Sequence, residues 1–307
     1  MKILILGAGG IGGYFGAQLL RAGADVTYLL RPRRQTLIQS DGLTIETPTG
    51  RFTVHPPTVT ADTVQPGYDL ILLAPKAYDL DDALHALEGA LAGPGQAVVL
   101  PFLNGLDHLE RLDARLGRER VMGGVAHIAA TLTADGAVRQ LSPMHRLTVG
   151  PRHESHRDLA QQFVALCQTA PFDSVLADDI EQVLWDKWVF LATLAGMTTA
   201  CAGSVGDIVA TPYGRDTTLA MFEECCSVAR LSGHPVGDAA RAPALELLTA
   251  PGSSFTASML RDLQGGQRTE HDHILGALVA RGDRLGVPTP LLRLAHTRLA
   301  VQAALGA

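Results

Sequence analysis

The chain contains few cysteines and no long apolar run, and each shortage argues against a class of protein. Its 307 residues include four cysteines, whose spacing fits neither a zinc site nor a disulfide framework. We therefore predict no metal site, interpret the adjacent Cys225 and Cys226 as packing residues, and expect a reducing cytoplasm. No apolar stretch reaches about 18 residues without a charge or a break, which argues against a transmembrane helix.

The chain also lacks an excess of basic charge. Its formal net charge of −6 argues against nucleic acid or an anionic membrane surface as the main partner. An apolar strand begins directly after Met1, which leaves no room for a cleaved signal peptide. The length suffices for two domains that each bury a core. We expect a cytoplasmic protein that acts on a small molecule.

The most informative segment is a glycine-rich turn at the start of the chain. A strand over residues 2–6 leads into a G-x-G-x-x-G turn, and a helical pattern follows it. The first glycine permits a tight turn, the second lets the backbone approach a pyrophosphate, and the third lets the helix pack close to the strand. This context predicts a dinucleotide site rather than a purely structural turn. The residues assigned to it are Gly7, Ala8, Gly9, Gly10, Ile11 and Gly12.

The second predicted strand, over residues 25–30, indicates which dinucleotide is bound. Directly after it comes Arg31, the first arginine of a basic turn. An acidic residue here would bind the ribose 2′-hydroxyl of NAD, whereas arginine suits the 2′-phosphate of NADP. A guanidinium can hold a phosphate with two hydrogen bonds. We therefore predict NADP(H), with a solvated basic turn as the structural alternative.

The pattern along the chain changes near Ala177. Before it, short apolar runs alternate with helical segments, which predicts an α/β Rossmann-like domain with a mostly parallel sheet over residues 1–176. After it, the periodicity is helical, which predicts an all-α substrate domain over residues 177–307. The predicted strands are residues 2–6, 25–30, 43–46, 51–55, 68–74, 96–100, 121–126 and 172–176, with 137–141 and 146–150 as a terminal antiparallel pair.

Polar residues follow two strands at the sheet edge where a dinucleotide would bind. Lys76 comes after the strand over 68–74, and Asn104 comes after the strand over 96–100. Ligands of open α/β sheets bind beyond the carboxyl ends of the strands. We therefore assign both residues to the site, although Asn104-Gly105 is also typical of a plain turn.

Lys187 is the strongest catalytic candidate, because it lies in one of the most apolar helical segments of the chain. Desolvation lowers the pKa of a lysine, and an amine whose pKa approaches neutrality can act as a general acid or base. The alternative is a lysine that extends to solvent and pairs with Glu181 or Asp186. Near the end of the chain, Glu270 is predicted to open a helix that Thr269 caps.

Taken together, these segments resemble the ketopantoate reductase (2-dehydropantoate 2-reductase) family over nearly the whole chain. The resemblance rests on residues 7–16, 69–76, 104–105, 185–188 and 258–270, with the spacing from Ser258 to Glu270 kept. It implies reduction of the 2-keto group of ketopantoate with NADPH, which yields pantoate for pantothenate synthesis.

The resemblance also implies a role for each candidate side chain. Lys187 would donate a proton to the carbonyl oxygen as hydride arrives, with Glu270 contacting the cofactor and setting the environment of the lysine. Asn104 would contact nicotinamide and substrate, Lys76 would lie near the cofactor, and Ser258 would bind the substrate carboxylate. A cationic donor beside a developing alkoxide stabilises its charge.

The chain departs from the family pattern on one helix face. Family members usually carry asparagine one and two turns after the catalytic lysine, where this chain has Leu191 and Ala195. Each unmet polar group of a substrate would cost roughly 1–3 kcal/mol. Ketopantoate is thus one candidate, and a bulkier or less polar keto or hydroxy acid is another. A non-catalytic NADP(H) sensor is a third, and an apolar face of the helical domain leaves a homodimer open.

Overall fold

The structure is a computed structural model that describes residues 1–93 and 97–305 and divides into two compact units. The αβ unit comprises Met1–Leu103 and His108–Glu181, and it holds both β-sheets. The helical unit comprises Asn104–Asp107 and Gln182–Ala307. The predicted fold class, a Rossmann-like domain followed by a helical domain, is confirmed.

Up to Leu176, the residues that the structure describes form ten strands and six helices. The strands are β1 (Lys2–Leu6), β2 (Asp25–Leu29), β3 (Leu43–Thr47), β4 (Gly50–Val54), β5 (Thr58–Val59), β6 (Leu70–Leu73), β7 (Val98–Pro101), β8 (Gly123–Leu132), β9 (Val138–Gly150) and β10 (Asp173–Leu176). The helices are α1 (Gly10–Arg21), α2 (Pro32–Asp41), α3 (Leu80–Ala86), α4 (Glu88–Leu91), α5 (Asp107–Leu116) and α6 (Arg157–Cys167). Gln96, where the sequence began the strand that became β7, lies outside the described residues.

The first sheet is parallel and has the strand order β5-β2-β1-β6-β7. Leu6, the last residue of β1, pairs with Leu29 of β2 and with Leu73 of β6. The carboxyl ends of these three strands therefore lie side by side. Because the chain continues to opposite sides of β1, this edge is the switch point at which open α/β sheets bind ligands.

The second sheet corrects one prediction. Residues 137–141 and 146–150 are not an antiparallel pair, because β9 is one continuous strand whose antiparallel partner is β8. The sequence analysis left residues 142–145 between two strands, but β9 continues through them, and a bulge between Ile128 and Ala130 of β8 accommodates the unmatched residues. The strand predicted from Val121 begins instead at Gly123.

From Ile180 to Leu305, the described part of the chain forms seven helices and one π-helical segment. They are α7 (Ile180–Cys201), α8 (Val205–Val209), α9 (Gly214–Leu231), α10 (Asp238–Leu248), α11 (Ser258–Gln264), the π segment (Asp272–Gly276), α12 (Ala277–Leu285) and α13 (Pro290–Leu305). Within the described residues, no helix combines the length and the apolar character that a membrane span needs. The predicted cytoplasmic location stays a prediction.

The end of the αβ unit is held by buried charge. The buried Arg152 guanidinium donates to both carboxylate oxygens of Asp113 at 2.7 Å and to Glu181 at 3.2 Å. Arg118 donates to the same Glu181 oxygen at 2.7 Å. Glu181 therefore groups with the αβ unit although it lies in the first turn of α7. The predicted domain boundary at Ala177 stays a prediction.

Glycine lets α1 pack directly against the central strands. A Cβ at Gly12 would lie 2.6 Å from the Gly7 carbonyl oxygen, and one at Gly16 would lie 2.3 Å from Ile5 Cδ1. The buried Tyr28 hydroxyl donates to the carbonyl oxygens of Gly12 and Gly13 at 3.1 and 3.3 Å. The third glycine of the turn therefore has the packing role that the sequence predicted.

We expect Gly12→Ala to lower the free energy of unfolding by roughly 1–3 kcal/mol, since its methyl group would overlap a backbone oxygen fixed by the turn. Gly9→Ala is the matched control, because a Cβ there meets nothing within 4 Å. It should change the free energy by about 0.5 kcal/mol or less. Urea denaturation measures both, and equal losses would contradict this account.

Candidate active site

The glycine-rich turn has the geometry of an anion site. Gly7 has a φ of +85°, which glycine adopts without strain, and its N–H donates to the Leu29 carbonyl oxygen at 3.0 Å. Gly9 caps α1 without any side-chain hydrogen bond, and the space where its Cβ would stand is open. The first amides of a helix have no acceptor within the helix. An extended pyrophosphate therefore fits against this end of α1.

Arg31 and Arg34, both at the start of α2, have different surroundings. Arg31 is exposed at the N-cap position of α2, immediately beyond the end of β2 where the sequence placed the cofactor phosphate. Arg34 instead donates to the carbonyl oxygens of Ala8 and Gly136, at 3.3 and 2.7 Å. Burial lowers the pKa of the Arg34 guanidinium. Arg34 thus ties α2 to the glycine turn, while Arg31 faces solvent.

Lys76 lies at the same edge of the first sheet. It is half-buried, follows β6 and precedes a short 3-10 turn at Ala77–Asp79. Since Leu73 pairs with Leu6, the segment carrying Lys76 and the glycine turn both start from adjacent strand ends. The αβ unit therefore brings together the predicted cofactor residues Gly7, Arg31 and Lys76 at one sheet edge.

Lys187 has an unusual electrostatic environment. It is partly buried on α7, and burial lowers its pKa from 10.5 to about 8, against an opposing effect of the Glu270 carboxylate. Glu181, which the sequence offered as an alternative partner, is bound by Arg118 and Arg152. At neutral pH, Lys187 is a cation that can release its proton readily.

The segment around Glu270 corrects the predicted helix start. Helical geometry begins at His271, so Glu270 precedes the helix, and Thr269 does not cap it. The Thr269 hydroxyl contacts His271 Nδ1 at 2.8 Å. The imidazole thus occupies the hydroxyl oxygen that would accept a backbone N–H of the helix in a cap. Glu270 is buried. Its carboxylate acts on Lys187 from outside α7.

Two contacts join the other parts of the helical unit to this segment. Trp188, directly after Lys187, donates its indole N–H to the Ile274 carbonyl oxygen at 2.9 Å. Gly105 has a φ of +76°, and a Cβ there would lie 3.0 Å from the His273 carbonyl oxygen. The turn that carries Asn104 therefore packs on the π segment that follows Glu270. The helical unit brings Lys187, Glu270 and the Asn104 turn together.

The remaining predicted residues are less closely connected. Leu191 is partly buried and Ala195 is buried on α7, one and two turns after Lys187. The neighbouring Phe190 stacks on Phe255 with ring centroids 6.3 Å apart, which gives this part of the unit an apolar character. Ser258 is exposed at the first position of α11, and its contact with a substrate stays a prediction.

Sequence reasoning missed two features. Arg34 follows Arg31 by three residues, so both lie at one end of α2, yet only the fold shows that Arg34 binds Ala8. The second feature is the scarcity of lysine, which the composition already showed. The chain has three lysines, Lys2, Lys76 and Lys187, and two of them are site candidates.

We expect the Lys187 amine to titrate near pH 8, and Glu270→Gln to move its pKa lower because the attracting negative charge is removed. NMR on protein labelled with ¹⁵N-lysine resolves this directly, since only three side-chain signals are present. Lys2→Arg and Lys76→Arg assign the other two. A Lys187 pKa that Glu270→Gln leaves unchanged would overturn the coupling.

Most of the chain matches models of one protein family. Residues 3–154 match the family described as ketopantoate reductase PanE/ApbA, and residues 179–302 match its C-terminal domain. An uncharacterized oxidoreductase, YkpB, of Bacillus subtilis is 34% identical over 304 residues, covering 97% of this chain and 98% of that protein.

Two solved structures extend the comparison. A PanE/ApbA family ketopantoate reductase from Ralstonia eutropha has a TM-score of 0.88 and 28% identity, covering 100% of this chain and 99% of that chain. D-mandelate dehydrogenase, solved with NADH and anilino(oxo)acetate, has a TM-score of 0.89 with the same coverage. At 21% identity, this second likeness shows the fold alone.

The resemblance inferred from the sequence is thereby confirmed. The dinucleotide predicted from the glycine turn is a nicotinamide dinucleotide, in keeping with the ketopantoate reductase family. The chain belongs to the ketopantoate reductase family and is an oxidoreductase that acts on CH–OH groups.

Proposed function

We propose that the chain reduces a 2-keto acid to the 2-hydroxy acid with NADPH, and that ketopantoate is the first substrate to test. The observation that carries this proposal is Lys187, a partly buried amine with a pKa near 8 that interacts with the buried Glu270. A dehydrogenase needs a group that can protonate an alkoxide at neutral pH, and this amine suits that task. Membership of the family supports the same reaction.

The nicotinamide supplies hydride when it is bound. Lys187 then gives its Nζ proton to the substrate oxygen, and its positive charge stabilises the alkoxide that forms. Glu270 keeps Lys187 protonated, because its carboxylate favours the cation against desolvation. Asn104 orients substrate and nicotinamide, and Ser258 binds the substrate carboxylate.

The αβ unit supplies the cofactor contacts in this proposal. The amides of residues 8–12 bind the pyrophosphate, Arg31 binds the 2′-phosphate and Lys76 adds positive charge beside them. Arg31 is exposed just beyond the end of β2, which supports this role, because a phosphate can reach its guanidinium from solvent. NADPH is accordingly the preferred cofactor.

A second candidate substrate is a less polar keto or hydroxy acid. The observation that favours it is the helix face of α7, which presents Leu191 and Ala195 after Lys187. Such a face leaves the hydroxyl groups of a polar substrate without amide partners. The predicted homodimer remains a proposal too, supported by Leu294, Val301 and Leu305, which are exposed on α13.

We expect Lys187→Ala to lower the rate of NADPH oxidation at least about 100-fold, because general acid catalysis contributes that much. The dissociation constant of NADPH should stay nearly unchanged. Lys187→Arg is the matched control, since it keeps the charge but not a readily released proton. Stopped-flow kinetics and fluorescence titration measure the two effects. A Lys187→Arg enzyme with the wild-type rate would exclude proton donation.

Arg31→Ala should raise the KM for NADPH roughly tenfold or more, since hydrogen bonds to charged groups contribute about 1.5–3 kcal/mol. The KM for NADH should hardly change. Arg33→Ala, which removes a neighbouring exposed arginine, is the control. If the wild-type enzyme binds NADH as tightly as NADPH, Arg31 does not select the cofactor.

A panel of 2-keto acids, assayed by NADPH oxidation, distinguishes the two substrate candidates. Replacing Leu191 and Ala195 by asparagine should raise kcat/KM for ketopantoate relative to an apolar 2-keto acid of similar size, because two amide partners are restored. Leu191→Met, which keeps the face apolar, is the control. An unchanged ratio in the double variant, with normal folding by circular dichroism, would reject this account of specificity.

A further inference from the structure

Two histidines and one aspartate converge in the helical unit, beside the proposed active-site segment. His296 Nε2 on α13 lies 2.8 Å from Asp272 Oδ1, and His271 Nε2 lies 3.6 Å from the same oxygen. The two imidazole centroids are 5.3 Å apart. Across residues 1–93 and 97–305, this is the one group of three such side chains whose ligand atoms lie within 4.8 Å of one another.

One of the imidazoles is held in an orientation that suits a metal ligand. His271 Nδ1 contacts the Thr269 hydroxyl at 2.8 Å, whereas Nε2 of the same ring faces Asp272. When Nδ1–H donates to the hydroxyl oxygen, Nε2 carries the lone pair. Metal-binding histidines commonly donate their other ring N–H in this way, which fixes the tautomer. The Thr269 hydroxyl therefore orients the His271 ring so that Nε2 faces the Asp272 carboxylate.

The local backbone and the exposure of the three side chains also fit a metal site. Asp272 opens the π segment, and single π turns within helices often occur at functional sites. The Asp272 side chain is 81% exposed, His296 is 29% exposed and His271 is 10% exposed. An ion can therefore enter from solvent beside Asp272 and keep water in its remaining coordination position.

We propose that His271, Asp272 and His296 bind one divalent transition-metal ion of the Zn²⁺ type. Two imidazole nitrogens and one carboxylate oxygen form a donor set typical of Zn²⁺, and their present separations allow a shared ion at the usual distances of about 2.0–2.2 Å. Mg²⁺ prefers six oxygen ligands and does not suit it. The ion would join His296 on α13 to His271 and Asp272, which directly follow Glu270.

Calorimetric titration of the untagged full-length chain with ZnCl₂ tests the proposal. The parent chain and all variants carry Cys201→Ser, because Cys201 is the exposed cysteine and its thiol could also bind Zn²⁺. We expect one ion per chain, and affinity at least about tenfold weaker in Asp272→Asn and in His296→Ala. Thr269→Val should weaken binding roughly tenfold through the orientation of His271.

His55→Ala is the matched control, because it removes an exposed histidine of the other unit and should leave the affinity unchanged. Asp272→Asn keeps the shape of an exposed side chain, so it remains informative if His296→Ala does not fold. The proposal is overturned if Zn²⁺ does not bind, if Mg²⁺ binds equally well, or if Asp272→Asn binds Zn²⁺ as tightly as the parent chain.

Discussion

The αβ unit depends on the close approach of α1 to the central strands. This approach requires positions without a side chain, because a methyl group at Gly12 or Gly16 would overlap atoms of Gly7 or Ile5. The Tyr28 hydroxyl then binds the carbonyl oxygens of Gly12 and Gly13, which fixes the helix over β2. As a result, the start of α1 stands directly beyond the end of β1, where its first amides are placed as the predicted pyrophosphate site requires.

The helical unit depends on a corresponding set of contacts around the segment after Glu270. Trp188 binds the Ile274 carbonyl oxygen, and Gly105 packs on His273. Residues that are far apart in the sequence therefore share one small region. The segment cannot be a regular α-helix throughout, since its first turns include the π segment Asp272–Gly276.

Sequence reasoning succeeded where local pattern decides the structure. The apolar runs that became β1, β2 and β6 and the long helix α7 were predictable, because strand and helix periodicity reflect burial directly. It failed at residues 142–145, where β9 continues as one strand although its pairing with β8 shifts register between Ile128 and Ala130. It also failed at Thr269, whose partner is an imidazole rather than a helix amide.

The candidate site shows the same division. The types of residue that the chemistry needs, such as the glycines, Arg31 and Lys187, could be recognised from sequence. Periodicity and composition could not pair Glu270 with Lys187, which lie 83 positions apart; only the family resemblance implied this pairing, and the fold shows that the carboxylate raises the pKa of the amine. The histidine and aspartate cluster was invisible for the same reason, since His296 lies on another helix.

The lowered pKa of Lys187 has a consequence for the stability of the protein. Below pH 8 the amine is protonated in both the folded and the unfolded chain, and folding then bears the net cost of burying the cation, on the order of 3 kcal/mol. Between about pH 8 and 10.5 the unfolded chain binds the additional proton, so this cost disappears as pH rises. The protein is therefore expected to gain stability from this residue as the pH rises through the range from about 8 to 10.5, the reverse of what a surface lysine paired with a carboxylate would give.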